Sequence, residues 1–133
     1  MTKFLIGTGG WAYFQVPGQD SLRAYSKAFD FVEVNSTFYT MPSQKEVESW
    51  RKRVPKDFEF TVRCNKNLTH DLKLEPLDES YGVLSEMIAI CKTLDSSILH
   101  LQTPPRLKFV GSKIQYIRNF FQSANLKGLR IAW

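Results

Sequence analysis

Polar side chains alternate with apolar ones near the ends of three short apolar runs. These residues are Glu33, Asn35, Thr61, Arg63, His100 and Gln102. Carboxylate, guanidinium and imidazole groups supply proton transfer and anion binding. The set therefore predicts a site for acid–base chemistry on an anionic or polar ligand.

Glu33 and Arg63 are the charged members of this set. If the two side chains face each other, the opposite charge keeps the carboxylate ionised, and Glu33 acts as a base or orients a substrate hydroxyl. Arg63, with Lys66 nearby, also offers a fork for a carboxylate or phosphate. The alternatives are a plain ion pair that fills the space between two strands and, for Arg63, a position on the surface.

Two histidines add candidates for proton transfer. His100 is either a proton shuttle or a structural histidine bonded to a neighbour. His70 lies in a loop and is better placed for ligand contact, so we predict Glu33, Arg63 and His70 as catalytic residues. The predicted substrate-binding residues are Gly9, Trp11, Tyr13, Asn35, Thr37, Tyr39, Thr69 and Gln102.

Metal and thiol chemistry have less support. Two histidines and one interior carboxylate do not supply the ligands of a multi-metal nuclease site, and we expect neither a metal nor a cofactor. Cys64 lies close to Arg63 and Lys66, which favours a thiolate. The alternation turns Cys64 to the apolar side, however, which favours a buried structural thiol.

The glycine-rich start of the chain resembles a dinucleotide-binding pattern. Gly7-x-Gly9-x-x-Ala12 matches the fingerprint, and Glu33 stands where a ribose-binding acid would. The fingerprint must open a helix, whereas the aromatic-rich segment 11–18 is typical of a loop. Its aromatic side chains either close the core or stack on a base or sugar ring.

Strands and helices must position these residues. Apolar runs predict strands at Lys3–Gly7, Phe31–Asn35, Phe58–Arg63, Ser97–Gln102 and Leu129–Trp133. Helical periodicity predicts helices after Asp20 or Ser21, after a Ser43–Glu46 capping box, from about Asp78 to Leu94, and after Gly111. The regular alternation of strand and helix indicates βαβ units and a parallel sheet.

The alternating strands distinguish between two parallel architectures. The central strands of a doubly wound sheet are almost continuously apolar, because helices cover both faces. Right-handed crossovers between strands in sequential order instead place every helix on one side. We therefore predict the (βα)4-β5 portion of a TIM-type β/α barrel, as a single domain over residues 1–133, with its chemistry at the C-terminal rim of the strands.

Composition and charge limit the function further. The chain has 133 residues, 43% of them hydrophobic, and a net charge of +5. No acidic residue follows Asp95. This basic C-terminal third indicates a small anionic ligand or, alternatively, a nucleic-acid-binding module that also uses the aromatic loops, although a solvated helix face explains most such runs. Without a long apolar run, a signal-peptide core or a disulfide spacing, we expect a cytoplasmic protein with no membrane contact.

Segments spread over the whole chain carry a family pattern. They are Ile6–Trp11 with Tyr13, Phe31–Tyr39 followed by Pro42-Ser43, Trp50, Pro55, Phe58 with Phe60, Thr69-His70, Leu101–Pro105 and Gly128–Ala132. Together they resemble the YecE-like family, also called domain of unknown function 72. The resemblance implies a TIM-type β/α barrel of unestablished activity, whose recurring polar residues fall on Glu33, Asn35, Thr69, His70 and Gln102.

The chain departs from the family pattern in two ways. The third strand of the family commonly ends in lysine, and Arg63 keeps the cation but loses any Schiff-base role. Family members are also about twice as long, so the resemblance covers only their N-terminal half. Half a barrel leaves two sheet edges unpaired, and the expected partner is a second copy or a separately encoded C-terminal half.

The resulting functional expectation is an uncharacterised YecE-like barrel protein. We expect it to bind a phosphorylated or nucleotide-like ligand at the rim, either as an enzyme or as half of one. The residue pattern leaves open whether any catalysis occurs.

Overall fold

Parallel strands form one sheet in which chain order and spatial order coincide. The computed structural model describes residues 1–133. The strands are β1 (Gly7–Gly9), β2 (Phe31–Val34), β3 (Glu59–Arg63), β4 (Ile98–His100) and β5 (Arg130–Ala132), and their spatial order is β1-β2-β3-β4-β5. Every neighbouring pair is parallel, which confirms the predicted order and direction.

Four helices connect the strands. They are α1 (Ser21–Ala28), α2 (Gln44–Lys52), α3 (Asp78–Leu94) and α4 (Ser112–Ser123). Asp20 is the N-cap of α1, because its carboxylate accepts a hydrogen bond from the backbone N–H of Arg23. The predicted capping box of Ser43 and Glu46 at the start of α2 is confirmed, with both reciprocal bonds present.

The hydrophobic core lies between one face of the sheet and the helices. Val32, Val62 and Leu99 are fully buried on this face, and they pack with helix residues such as Tyr25 and Met87 in a cluster of 21 buried residues. Burying one such side chain contributes about 1.5–3 kcal/mol. The other face of the sheet carries the alternate, polar residues of the same strands.

The first strand begins later than predicted. The apolar run Phe4-Leu5-Ile6 suggested Lys3–Gly7, but Phe4 is 84% exposed and only Gly7–Gly9 pairs with β2. The physical reason is a close approach of the two backbones, since a Cβ on Gly7 would lie 2.1 Å from the carbonyl oxygen of Phe31. Glycine permits this pairing, whereas the apolar run before it has no neighbouring strand.

Candidate functional site

The register of the sheet gathers the predicted polar residues on its uncovered face. Gly9 pairs with Glu33, Glu33 with Thr61, and Arg63 with His100. Residues paired in neighbouring parallel strands point to the same side. Glu33, Arg63 and His100 therefore share one face toward the carboxyl ends of the strands, where β/α barrels carry their chemistry.

Glu33 and His100 form the central contact of this rim. Nδ1 of His100 lies 2.8 Å from Oε2 of Glu33, and the two side chains are 26% and 30% exposed. Because a carboxylate only accepts hydrogen bonds, Nδ1 carries the hydrogen, and Nε2 remains as the free ring nitrogen. His100 is thus bonded to a neighbour, as one of its two predicted roles required, and it still reaches solvent.

Arg63 and Glu33 form no ion pair, so the structure has neither of the two arrangements considered for these side chains. The Nη2 group of Arg63 donates to the Oε1 atom of Gln102, and its guanidinium lies over the ring of Phe38 at 3.9 Å from the centroid. The register explains the difference, because Thr61, not Arg63, is the β3 neighbour of Glu33. Arg63 lies two residues further on and extends past the end of its strand.

A short 3-10 turn over Ser36–Phe38 holds this arrangement in place. Thr37 is fully buried, and its hydroxyl lies 2.9 Å from the carbonyl oxygen of Val34 and 2.6 Å from that of Arg63. Thr37 therefore fastens the loop after β2 to β3. This burial gives Thr37 a supporting position below the surface of the rim.

Phe38 joins the end of β3 to the loop that follows it. One contact of its ring is with Arg63, and another is with the imidazole of His70, whose centroid is 5.2 Å away in an edge-on arrangement. Nδ1 of His70 lies 2.9 Å from the hydroxyl of the buried Thr69. Tyr39 is 66% exposed and packs edge-on against Phe38.

The remaining predicted residues form a separate cleft beside β1. It has a volume of about 330 Å³ and is lined by Gly9, Gly10, Trp11, Ala12, Tyr13, Asn35 and Ser36. Tyr13 is fully exposed, whereas Trp11 packs edge-on against Trp50 at 5.5 Å. No helix begins before Ser21, so the glycine-rich start lacks the helix that a dinucleotide fingerprint requires.

Asn35 connects this cleft to the rim. Its Nδ2 atom would be 2.5 Å from a Cβ on Gly9, so glycine is needed there for the amide to occupy its position. Its buried Oδ1 atom has no hydrogen-bond partner in the protein. A buried acceptor without a hydrogen-bond partner is uncommon in folded proteins.

Both cysteines belong to the core. Cys64 and Cys91 are buried and unpaired, and burial raises the pKa of each thiol to about 12. The prediction of a structural Cys64 is confirmed. Among all side chains, no group of three or more His, Cys, Asp or Glu gathers as a metal site would require, and no helix combines the length and apolarity needed to cross a bilayer.

Fold and rim together define a class: a parallel β/α half-barrel with polar side chains at the carboxyl ends of its strands. Comparison with known proteins then gives the family. The family model described as "Protein of unknown function DUF72" matches residues 5–132, and the chain belongs to this family.

Two curated relatives share its sequence pattern. The UPF0759 protein YunF of Bacillus subtilis (strain 168) is 27% identical over 124 residues, which cover 85% of this chain and 44% of YunF. The UPF0759 protein YecE of Escherichia coli (strain K12) is 32% identical over 62 residues, which cover 47% of this chain and 23% of YecE.

Two solved structures share the fold. A DUF72 family protein from Enterococcus faecalis V583 has a TM-score of 0.71 at 17% identity, covering 94% of this chain and 48% of that one. A DUF72 family protein from Thermotoga maritima MSB8 has a TM-score of 0.71 at 22% identity, and the match covers 90% of this chain and 52% of that one. The chain thus spans about half the length of these relatives and has the fold of a partial TIM-type barrel.

Proposed function

We propose that this chain binds a small phosphorylated or nucleotide-like molecule at the rim and takes part in proton transfer to or from it. The observation that carries the proposal is the 2.8 Å contact between Glu33 and His100 on the uncovered face of the sheet. A carboxylate bonded to one imidazole nitrogen orients the ring and leaves the other nitrogen available for proton transfer. Of the other predicted catalytic residues, Arg63 is paired with His100 in the strand register, and His70 contacts Phe38, whose ring also contacts Arg63.

Two unpartnered polar atoms support a ligand at this place. The Oδ1 atom of Asn35 and the Nε atom of Arg63 are buried and make no hydrogen bond within the protein. Leaving one such group without a partner costs about 1–3 kcal/mol. A ligand atom or an ordered water that approaches either atom would recover part of that free energy.

Ligand-induced thermal stabilisation tests the proposal. A panel of phosphorylated metabolites and nucleotides is screened against the wild type, Glu33→Gln and Glu59→Gln. Glu59 is the matched control, because it lies on the same face at the other end of β3 and makes only an exposed contact with Lys3. We expect a ligand that raises the Tm of the wild type and of Glu59→Gln but not of Glu33→Gln. No stabilising compound, or equal shifts in all three proteins, would overturn the rim site.

The nucleic-acid alternative has one supporting observation. The basic residues after Asp95 are all exposed: Arg106, Lys108, Lys113, Arg118, Lys127 and Arg130. However, Lys113, Lys127 and Arg130 line three different clefts instead of one continuous stripe. Titration of labelled DNA and RNA at two salt concentrations decides the matter, since phosphate-driven binding must weaken steeply with salt. Absent or salt-independent binding excludes this alternative.

We also propose that a second copy or a separately encoded C-terminal half covers the open side of the sheet. β1 and β5 each have a free edge, and exposed edges of this kind pair readily with another chain. Trp133, next to β5, is 51% exposed. Light scattering at micromolar concentration is expected to show a dimer or, after co-purification, a hetero-complex. A clean monomer would contradict the proposal.

A further inference from the structure

A cavity lined by basic side chains lies beside the rim and includes residues outside the site described above. It has a volume of about 390 Å³ and is lined by His70, Lys73, Pro104, Arg106, Leu107 and Lys113. We refer to it as the basic pocket. We propose that the basic pocket binds the phosphate group of the ligand, an inference that rests on the proposed function and assigns the phosphate to these residues instead of Arg63.

The charges of the basic pocket are available to a ligand. Its lining contains two lysines, one arginine and one histidine but no acidic residue. Lys73, Arg106 and Lys113 make no ion pair and no side-chain hydrogen bond, in contrast to Arg53, which pairs with Asp20 at 2.8 Å. Because like charges repel, three unpaired cations around one cavity favour an anion between them.

Three separate segments bring these cations together. His70 and Lys73 come from the loop after β3, Arg106 comes from the loop after β4, and Lys113 lies in the first turn of α4. Leu74 is fully buried next to Lys73, and Leu107 is 7% exposed next to Arg106. The buried leucine next to each basic residue anchors its loop in the core. The backbone at Lys73 and at Arg106 is therefore held in place.

The loop that carries Lys73 has an unusual backbone. Lys73 and Leu74 have φ values of 53° and 58°, a left-handed conformation that residues with a side chain seldom adopt. A five-residue π-helical turn, Asn67–Asp71, precedes them. Strained backbone persists only where the rest of the fold stabilises it, and both such strain and π-turns are frequent at functional sites.

The surroundings of Arg63 argue against it as the phosphate anchor. Its guanidinium is covered on one face by Phe38 and is already bonded to Gln102. The basic pocket has no such covering group. His70 lines the pocket and contacts Phe38, so a phosphate held there places the rest of its molecule beside the rim.

The size of the cavity fits a phosphorylated small molecule. One water occupies about 30 Å³ of liquid, so a cavity of about 390 Å³ holds a phosphate together with part of the molecule attached to it. Glu75 lines an adjoining crevice with Lys73 and Lys113, but its carboxylate forms no ion pair with either lysine.

Titration with inorganic phosphate tests the inference, with chloride at matched ionic strength as the anion control. The proteins are the wild type, Arg106→Gln, Lys113→Gln and the control Lys127→Gln, which removes an exposed charge from a different cleft. We expect phosphate to stabilise the wild type and Lys127→Gln, and each pocket substitution to weaken its apparent affinity about tenfold or more. Equal stabilisation of all four proteins by phosphate, or equal stabilisation by chloride, would overturn the assignment of phosphate to the basic pocket.

Glu33→Gln separates this inference from the proposed function. If the pocket is correct, Glu33→Gln retains wild-type affinity for inorganic phosphate even where it loses the stabilisation by a whole metabolite. Phosphate binding without any Glu33-dependent ligand would overturn the proposed function and leave the pocket standing. A Glu33-dependent metabolite that is indifferent to Arg106→Gln and Lys113→Gln would overturn the pocket alone. Oligonucleotide binding gives one more test. If Lys127→Gln and Arg106→Gln weaken it equally, the basic pocket is not a specific phosphate site.

Discussion

The imidazole of His100 on β4 donates from Nδ1 to Oε2 of Glu33 on β2 at 2.8 Å, so the bond passes over β3, the strand between them. This contact fixes both the orientation of the ring and the nitrogen that carries its hydrogen. It makes the state of one side chain depend on the other, although 67 positions separate them in the sequence.

Replacing Glu33 is therefore expected to change the tautomer of His100. In the wild type, the neutral imidazole of His100 carries its hydrogen on Nδ1, because Glu33 accepts from that atom. In Glu33→Ala this preference disappears and the Nε2–H form gains population. Nitrogen chemical shifts of the labelled imidazole measure the change, and His70, bonded to Thr69, serves as the internal control. An unchanged His100 tautomer would show that the contact does not exist in solution.

Two glycines of β1 are expected to differ in their sensitivity to alanine. A Cβ on Gly7 would meet the backbone carbonyl of Phe31 at 2.1 Å, whereas a Cβ on Gly9 would meet the side-chain amide of Asn35 at 2.5 Å. Gly7→Ala must displace a strand and is expected to lower the free energy of unfolding by about 1–3 kcal/mol. Gly9→Ala displaces only the Asn35 side chain, so it lowers stability less and weakens ligand binding instead. Urea unfolding of both variants provides the comparison, and a larger loss in Gly9→Ala would contradict it.

Removing the cap of α2 is expected to destabilise the protein. The hydroxyl of Ser43 accepts from the backbone N–H of Glu46, and such a cap contributes about 1 kcal/mol. Ser43→Ala should lose that amount in urea unfolding at neutral pH. Ser49→Ala, in an exposed position of the same helix, is the control and should stay close to the wild type. Equal losses in the two variants would assign the effect to something other than capping.

The other half of the same box predicts a pH dependence. The backbone N–H of Ser43, and after it the Ser43 hydroxyl, lower the pKa of the Glu46 carboxyl below its usual value. A lowered folded-state pKa gives stability that is complete above the unfolded pKa and is lost as the pH falls through the folded pKa. The stability difference between the wild type and Glu46→Gln should thus be constant above about pH 5 and shrink on acidification. If this stability difference instead grows as the pH falls, the pKa of Glu46 is not lowered in the folded protein.

The buried thiols are expected to resist modification. With a pKa of about 12 for Cys64 and Cys91, almost no thiolate exists at pH values near 8. A chromogenic disulfide reagent should label neither cysteine in the folded protein and both after unfolding in denaturant. Fast labelling under native conditions would mean that the core opens at α3 or at the end of β3.

Much of the architecture follows from the sequence pattern, because period-two alternation and helix caps are local signals. Val32 and Val34 alternate with Glu33, and this alone indicates a strand with one buried face. The local sequence pattern does not predict where β1 starts. Its pairing depends on how closely the backbone of Phe31 approaches Gly7, and that is a tertiary distance.

The rim was predicted as a set of residues but not as a set of contacts. Alternation places Glu33, Arg63 and His100 on one face, yet it does not determine which of them meet. The choice depends on the stagger between strands and on the reach of each side chain, since Arg63 extends beyond its strand toward Phe38. The basic pocket was missed because Lys73, Arg106 and Lys113 belong to three loop and helix positions with no common spacing. Only the absence of acidic residues after Asp95 pointed toward that part of the chain.

The sequential order of the strands also bears on how the protein forms. Each strand hydrogen-bonds only to the strand before it and the strand after it in the chain. Loop-closure entropy is therefore lost one βα unit at a time, over the shortest separations that a parallel sheet allows. During synthesis from the N-terminus, each strand after β1 follows the strand with which it pairs, so pairing does not have to wait for a later part of the sheet.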